Sequence, residues 1–242
     1  MVERIENENA QGARRGGVVR RLLRGLFRLA WRAALTLAIA LVALTLVAKA
    51  VTPVSTLMIG RWATLQPVNR TVVPLEAISP HVPRMVIASE DARFCRHAGV
   101  DFDELFKVIE AGAPRGASTL AMQTAKNVFL WRERSYVRKA IEIPLALWID
   151  LVWGKRRVIE VYLNVAELGE GIFGVEAAAQ AHFGKSAADL TRREAALLAT
   201  ALPNPKARDA GAPGSGHRRL AENLMGRESG SGEIFGCLER GS

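Results

Sequence analysis

The chain has 242 residues, with 33 Lys and Arg against 24 Asp and Glu, a formal net charge of +9. That length holds one domain of ordinary size plus an extra segment, and 49% hydrophobic against 24% charged residues excludes wholesale disorder. Two cysteines are too few for a disulfide-dense scaffold or a four-cysteine zinc site. The positive excess is therefore the open feature, since nucleic acid, an anionic membrane surface or an anionic substrate would each account for it.

Residues 1–32 hold eight arginines against three glutamates, a net +5 and more than half of the excess. Residues 33–48 carry no charge, and Lys49 alone interrupts the apolar run to position 52. Twenty helical residues rise about 30 Å, close to the hydrocarbon thickness of a bilayer. Lys49 lies near one end, where its stem can snorkel to the interface. Arginines beside an apolar span form the positive-inside pattern. The expected organisation is a basic cytoplasmic tail (1–32), a transmembrane anchor (33–55), a connector (56–78) and a main domain (79–242) on the far side. A buried core helix is one alternative. A cleavable signal peptide is another, because Ala48-Lys49-Ala50 has the small-x-small form of a cleavage site. The long basic region favours an uncleaved anchor. With the main domain outside the cytoplasm, no nucleic-acid partner is expected.

From residue 79 the pattern reads as short helices. Residues 81–89 are apolar-periodic. Asp101 and Glu104 have capping-box spacing for a helix to about 111. Residues 113–117 read as a loop, and Ser118 or Thr119 can cap a helix to about 130. Residues 136–153 form a longer helix, expected to kink at Pro144, and 155–163 another. Residues 174–183 are Ala-rich and stop at Gly184. Thr191 and Glu194 form a capping box for a helix ending before Pro203. Residues 209–216 and 226–233, rich in Gly and Ser, read as loops. No long strand alternation and no repeat is present, so the fold class is mostly α.

Four segments could carry chemistry. Glu90 and Asp91 close an apolar helix, where desolvation raises a carboxyl pKa toward proton transfer; the plain alternative is a solvated helix end. Gly116 before Ser118 and Thr119 leaves free N–H groups at a helix start, with Gln123, Lys126 and Asn127 on one face after it; here the alternative is an ordinary capped helix. Arg134, Arg138, Lys139 and Glu142 form a charged cluster in which Arg138 and Glu142 at i,i+4 suit a surface salt bridge equally well. Lys155, Arg156 and Arg157 oppose the helix dipole at a helix start, as residues holding an anion or a membrane surface would, or simply as a solvated basic turn.

In this order the segments resemble the peptidoglycan glycosyltransferase family. Glu90-Asp91-x-x-Phe94-x-x-His97-x-Gly99 resembles its first motif and Gly116-x-Ser118-Thr119-Leu120-x-x-Gln123-x-x-Lys126-Asn127 its second. Arg138-Lys139-x-x-Glu142 and Lys155-x-x-Val158-Ile159-Glu160-x-Tyr162-Leu163-Asn164 resemble the third and fourth, and Gly171-x-x-Gly174-x-x-x-Ala178 a fifth. Two positions depart from the pattern: Met122 stands where a second glutamine is usual, and His182 where tyrosine is usual. No Ser-x-x-Lys transpeptidase region follows.

The resemblance implies a lysozyme-like helical domain behind one N-terminal transmembrane helix, in a bacterial inner membrane, with the catalytic domain periplasmic. A membrane-dipping region would include parts of 103–111 and the loop at 113–117. The implied reaction polymerises lipid II with inversion, forming β-1,4 bonds and releasing undecaprenyl diphosphate. Glu90 would be the catalytic base, and Glu142 the second carboxylate, positioning the donor or binding a divalent cation (Mg or Mn) on the diphosphate. Ser118, Thr119, Gln123, Lys126, Asn127, Arg134, Arg138 and Lys139 would bind substrate. Implied partners are lipid II, lipid-linked glycan and the membrane, with room for other cell-wall synthesis or division proteins. A lysozyme-like peptidoglycan hydrolase or lytic transglycosylase is the rival reading, and a non-catalytic scaffold a third. His97 is expected to stabilise the first motif by a hydrogen bond. Cys95 and Cys237 could pair in an oxidising periplasm, or stay as one buried and one free thiol.

Overall fold

The structure, a computed structural model, describes residues 2–112, 116–131, 133, 135–229 and 235–239. It divides into two compact units, a first ending at Ala48 and a second spanning Lys49–Ser242.

The first unit lies within helix α1 (Val2–Ala50). Inside α1, Leu23–Ala50 is a 28-residue stretch long and apolar enough to cross a membrane. It begins ten residues before the span read from the sequence and stops earlier, at Ala50. Pro53 accounts for the early stop, because proline disfavours helical dihedrals in the residue before it and donates no N–H.

The second unit is built from helices α2 (Thr56–Ala63), α3 (His81–Glu90), α4 (Phe102–Glu110), α5 (Leu120–Phe129), α6 (Tyr136–Val165), α7 (Val175–Phe183), α8 (Arg192–Ala201), α9 (Ser215–Ser229) and α10 (Gly236–Glu239). Strands β1 (Asn69–Arg70), β2 (Glu167–Gly169) and β3 (Ile172–Phe173) form a small sheet of order β1-β3-β2, with β1 parallel and β2 antiparallel to β3. The sheet pairs Asn69 with Ile172 and Glu167 with Phe173. The core lies where α5 packs along α6 and α8 packs on α3 and α9. Met85, Ile87, Leu120, Ile149, Ile159 and Leu198 are fully buried there.

Side-chain caps set several helix starts. Thr119 accepts from Met122 N, Ser135 from Arg138 N, and Thr191 and Glu194 form the full capping box. Asp101 caps α4 by accepting from Glu104 N. Pro144 sits inside α6, whereas the helical dihedrals break at Gly154 (φ 73°, ψ 167°). Glycine takes that left-handed φ at little cost, so the long helix turns there into a second limb.

Residues 56–78 are more structured than a connector. Met58 is fully buried, Arg61 Nε donates to Pro67 O at 3.0 Å and Arg61 pairs with Glu170 at 3.0 Å. Asn164 exchanges hydrogen bonds of 2.9 Å with both backbone groups of Val73, and Glu160 accepts from Leu75 N. The expected loop at 226–233 is helical as far as Ser229, and its remaining residues lie outside the described ones. Glu228 pins the last turn of α9 by pairing with Arg84 at 2.9 Å and Arg192 at 2.8 Å, a tertiary contact that outweighs local propensity.

Candidate active site

Glu90 is the last residue of α3, and Asp91 fixes where that end points. One Asp91 oxygen meets His97 Nε2 at 2.9 Å, and the other accepts from Leu120 N, also at 2.9 Å. The second bond satisfies a backbone donor that the first turn of α5 leaves unpaired. It brings the end of α3 against the start of α5 and sets Glu90 beside Gln123. Gln123 Nε2 donates to Glu90 at 3.0 Å, and Tyr162 Oη donates to Gln123 Oε1 at 3.2 Å. Burial pushes the Glu90 carboxyl above its ordinary value. The hydrogen bonds from Gln123 and Ser89 and the charge of Lys126 oppose that rise, while Asp91 adds to it.

Glu142 lies on the first limb of α6 and is buried. Arg138 pairs with it one turn earlier, and Lys139 Nζ stands 3.2 Å from its other oxygen. Lys139 also donates to Ser118 Oγ at 2.9 Å, and Arg138 Nε donates to Glu133 O. Lys126 sits in the field of both carboxylates. Burial lowers its pKa first; Glu142 opposes this, Arg138 and Lys139 add to it, and Glu90 opposes it. The Arg138–Glu142 pair is thus buried, unlike the solvated surface bridge that helical spacing alone allowed.

Three cavities adjoin here. One of about 620 Å³ is lined by Ser118, Gln123, Lys126, Arg138, Lys139 and Glu142. A second, of about 360 Å³, shares Gln123, Lys126 and Arg138 with it and adds Asn127 and Tyr162. A third, of about 350 Å³, holds Glu90 and Asp91 and shares Gly116 and Ser118 with the first. A carboxylate suited to taking a proton and a group of cations suited to a diphosphate therefore line adjoining cavities that share Gly116 and Ser118.

Most of the expected site residues meet in this region. Thr119 lines the 350 Å³ cavity beside Ser118, but its hydroxyl donates to Gly99 O at 2.5 Å and accepts from Met122 N at 3.2 Å, so that group is occupied in the scaffold. Arg134 lies outside the described residues, as do positions 113–115. Met122 is fully buried, so apolar packing fills the place of the usual second glutamine. His97 makes the expected stabilising bond, to Asp91.

The basic turn at 155–157 holds the domain together. Lys155 donates to His97 O at 2.6 Å, pairs with Asp150 at 2.8 Å and lies 4.7 Å from the Phe94 ring centroid. Arg156 pairs with Glu76 at 2.6 Å, and Arg157 pairs with Glu160. Internal partners thus stand in place of both the solvated basic turn and the anion or membrane surface that the sequence left open. Cys95 and Cys237 form a disulfide that ties the segment after Asp91 to α10.

Positioning the donor and binding a divalent cation were the two roles open to Glu142. Arg138 and Lys139 occupy its carboxylate, and the described residues contain no group of three or more His, Cys, Asp or Glu able to hold a metal.

Asp91 and Tyr162 were missing from the expected site residues. The adjacency of Asp91 to Glu90 was a usable signal. Tyr162 had a weaker one, its place between Glu160 and Asn164 in the fourth motif.

The transglycosylase family profile matches residues 57–225. The chain is 50% identical over 226 residues to the biosynthetic peptidoglycan transglycosylase of Rhodopseudomonas palustris (strain HaA2), covering 91% of this chain and 99% of that one. It is 52% identical over 190 residues to the protein of the same name from Agrobacterium fabrum (strain C58 / ATCC 33970), covering 77% and 84%. A third of that name, from Nitrobacter winogradskyi, is also 52% identical over 190 residues, covering 76% and 84%.

Proposed function

The chain belongs to the transglycosylase family and is a peptidoglycan glycosyltransferase, and on that premise we propose how its residues polymerise lipid II. The 4-hydroxyl of the acceptor GlcNAc attacks C1 of the donor MurNAc, and undecaprenyl diphosphate leaves from the opposite face. The α-linked donor becomes a β-1,4 bond in one inverting displacement, which needs a base and no covalent intermediate. Glu90 is the base. Its partly desolvated carboxylate keeps proton affinity, and Gln123 holds one of its oxygens in place. Lys126, Arg138 and Lys139 offset the charge that builds on the leaving diphosphate. Glu142 holds Arg138 and Lys139 at the cavity wall. Ser118, Gln123 and Asn127 supply the neutral polar contacts.

The observation that carries this reading is the meeting of Glu90 with three cations in adjoining cavities. A hydrolase of finished glycan needs the carboxylate but has no diphosphate for the cations to meet. The relatives' shared name, biosynthetic peptidoglycan transglycosylase, also disfavours the lytic reading. Leu23–Ala50 fits a membrane anchor. Single-pass topology with the arginine-rich end in the cytoplasm and the catalytic domain in the periplasm is part of the proposal, supported by the positive-inside pattern. An anchor holds the enzyme in the plane of its lipid substrate and raises the effective concentration there.

The test incubates the purified full chain with lipid II and, separately, with finished glycan. Polymer from lipid II with no cleavage of glycan is expected, and Glu90→Gln should abolish it. Glycan cleavage without polymerisation, or near wild-type polymerisation by Glu90→Gln, would overturn the assignment.

A further inference from the structure

The fourth motif carries three polar side chains at alternate positions, Glu160, Tyr162 and Asn164. Two of them face the scaffold. Glu160 accepts from Leu75 N at 2.9 Å, and Asn164 binds both backbone groups of Val73. Tyr162 does something else. Its side chain is buried in the core, yet its hydroxyl reaches Gln123 Oε1 at 3.2 Å in the wall of the 360 Å³ cavity. Packing alone would be served as well by phenylalanine, which spares the cost of burying a hydroxyl.

The direction of the hydrogen bonds gives that hydroxyl a use. An ionised carboxylate only accepts, so Glu90 requires the –NH₂ end of Gln123. The reverse amide orientation would set the Gln123 carbonyl against the carboxylate, oxygen to oxygen. The two ends of a glutamine amide have nearly the same shape, so sterics do not choose between them. The Tyr162 hydroxyl, a phenol that donates more strongly than it accepts, favours the orientation that sets Oε1 against it and leaves Nε2 for Glu90.

We propose that Tyr162 is a positioning residue for the base, holding the Gln123 amide in the orientation that donates to Glu90. Without the hydroxyl the amide can turn, and its carbonyl then favours the protonated carboxyl. The inference rests on Glu90 being the base, but one arm of its test needs no turnover.

Several charged or titratable groups face Glu90. Asp91 belongs to its own segment, Lys126 comes from α5 and Tyr162 from α6. Arg93, Asp101, Glu104 and Arg227 line the same 350 Å³ cavity. Tyr162→Phe leaves all of these except Tyr162 in place, so a changed titration of Glu90 reports the lost hydroxyl.

The experiment titrates Glu90 in the full-length protein by carboxyl carbon NMR, with Glu90→Gln identifying the resonance. Tyr162→Phe is expected to raise the Glu90 midpoint by about one pH unit, and Gln123→Met to raise it similarly. The double variant should add little, because both substitutions remove one relay. In the polymerisation assay the acid limb of kcat/KM should move with the midpoint. Tyr162→Phe would then lose about tenfold at low pH and little above the midpoint. An unmoved or lowered midpoint in folded Tyr162→Phe would overturn the proposal, as would shifts that add fully in the double variant. If the midpoint moves as expected while Glu90→Gln still polymerises lipid II, the relay stands and the assignment of Glu90 as base fails.

Discussion

The Cys95–Cys237 disulfide closes a covalent loop with a sequence separation of 142. Its removal offers a sharp test of how the catalytic segment is held. Cross-linking restricts the unfolded chain, and for a loop of this length the chain-entropy relation gives about 5 kcal/mol at 25 °C. Measured effects usually fall below that figure, typically about 2–4 kcal/mol. Noncovalent contacts also hold the C-terminal segment: Phe235 is buried under the Arg84 guanidinium at 4.4 Å, and Arg156 donates to Leu238 O. The paired substitution Cys95→Ser with Cys237→Ser is therefore expected to cost about 2–5 kcal/mol. At about 2–4 °C per kcal/mol for a domain of this size, the melting temperature should fall by roughly 4–20 °C. The assay is thermal unfolding of the full chain in detergent, followed by near-UV circular dichroism with and without reductant. Reductant should bring the wild-type protein down to the variant and leave the variant unchanged. A shift below about 1 °C, or equal sensitivity of both proteins to reductant, would refute the reasoning.

Glu90→Gln should melt above wild type at neutral pH. The folded-state pKa of Glu90 lies above its ordinary value of 4.5, so this group's contribution to stability is present below that value and lost as pH rises through the folded pKa. The gap between the two proteins should close at pH 4, and a lower melting point for the variant at pH 7 would contradict the buried-base reading. The same shift places the acid limb of polymerisation above the range of an ordinary carboxylate. Arg138→Ala leaves the buried Glu142 with Lys139 alone and should cost on the order of 2–4 kcal/mol as well as donor use. Adding Glu142→Gln should restore most of the melting temperature without restoring polymerisation. Gly99→Ala would place a Cβ 2.5 Å from the Ala146 carbonyl oxygen at a backbone φ of +75°. The atoms it meets are backbone, so thermal melting should show a loss of about 2–4 kcal/mol.

Local chemistry made much of this protein legible from its sequence. Thr191 and Glu194 announce a helix start because a capping box needs only four consecutive residues. Gly184 announces a helix stop because it takes the left-handed φ that ends α7. The apolar run beside the arginines is equally local, and so is the spacing that puts Arg138 and Glu142 on one face of α6. Burial and long-range partners lay beyond that reach. Helical spacing serves an exposed salt bridge and a buried pair alike, and only the packing of α5 along α6 puts Glu142 out of solvent. Thr119 and Lys155 carry polar groups that an isolated segment would offer to a ligand. The fold turns them inward to Gly99 and to His97 with Asp150. The line from Tyr162 through Gln123 to Glu90 joins three helices. The residue types and intervals named the chemistry, because helix faces, caps and charge are properties of neighbours in the chain. Tertiary structure decided which of those groups meet the cleft and which hold it in shape, because desolvation and hydrogen-bond direction depend on neighbours in space.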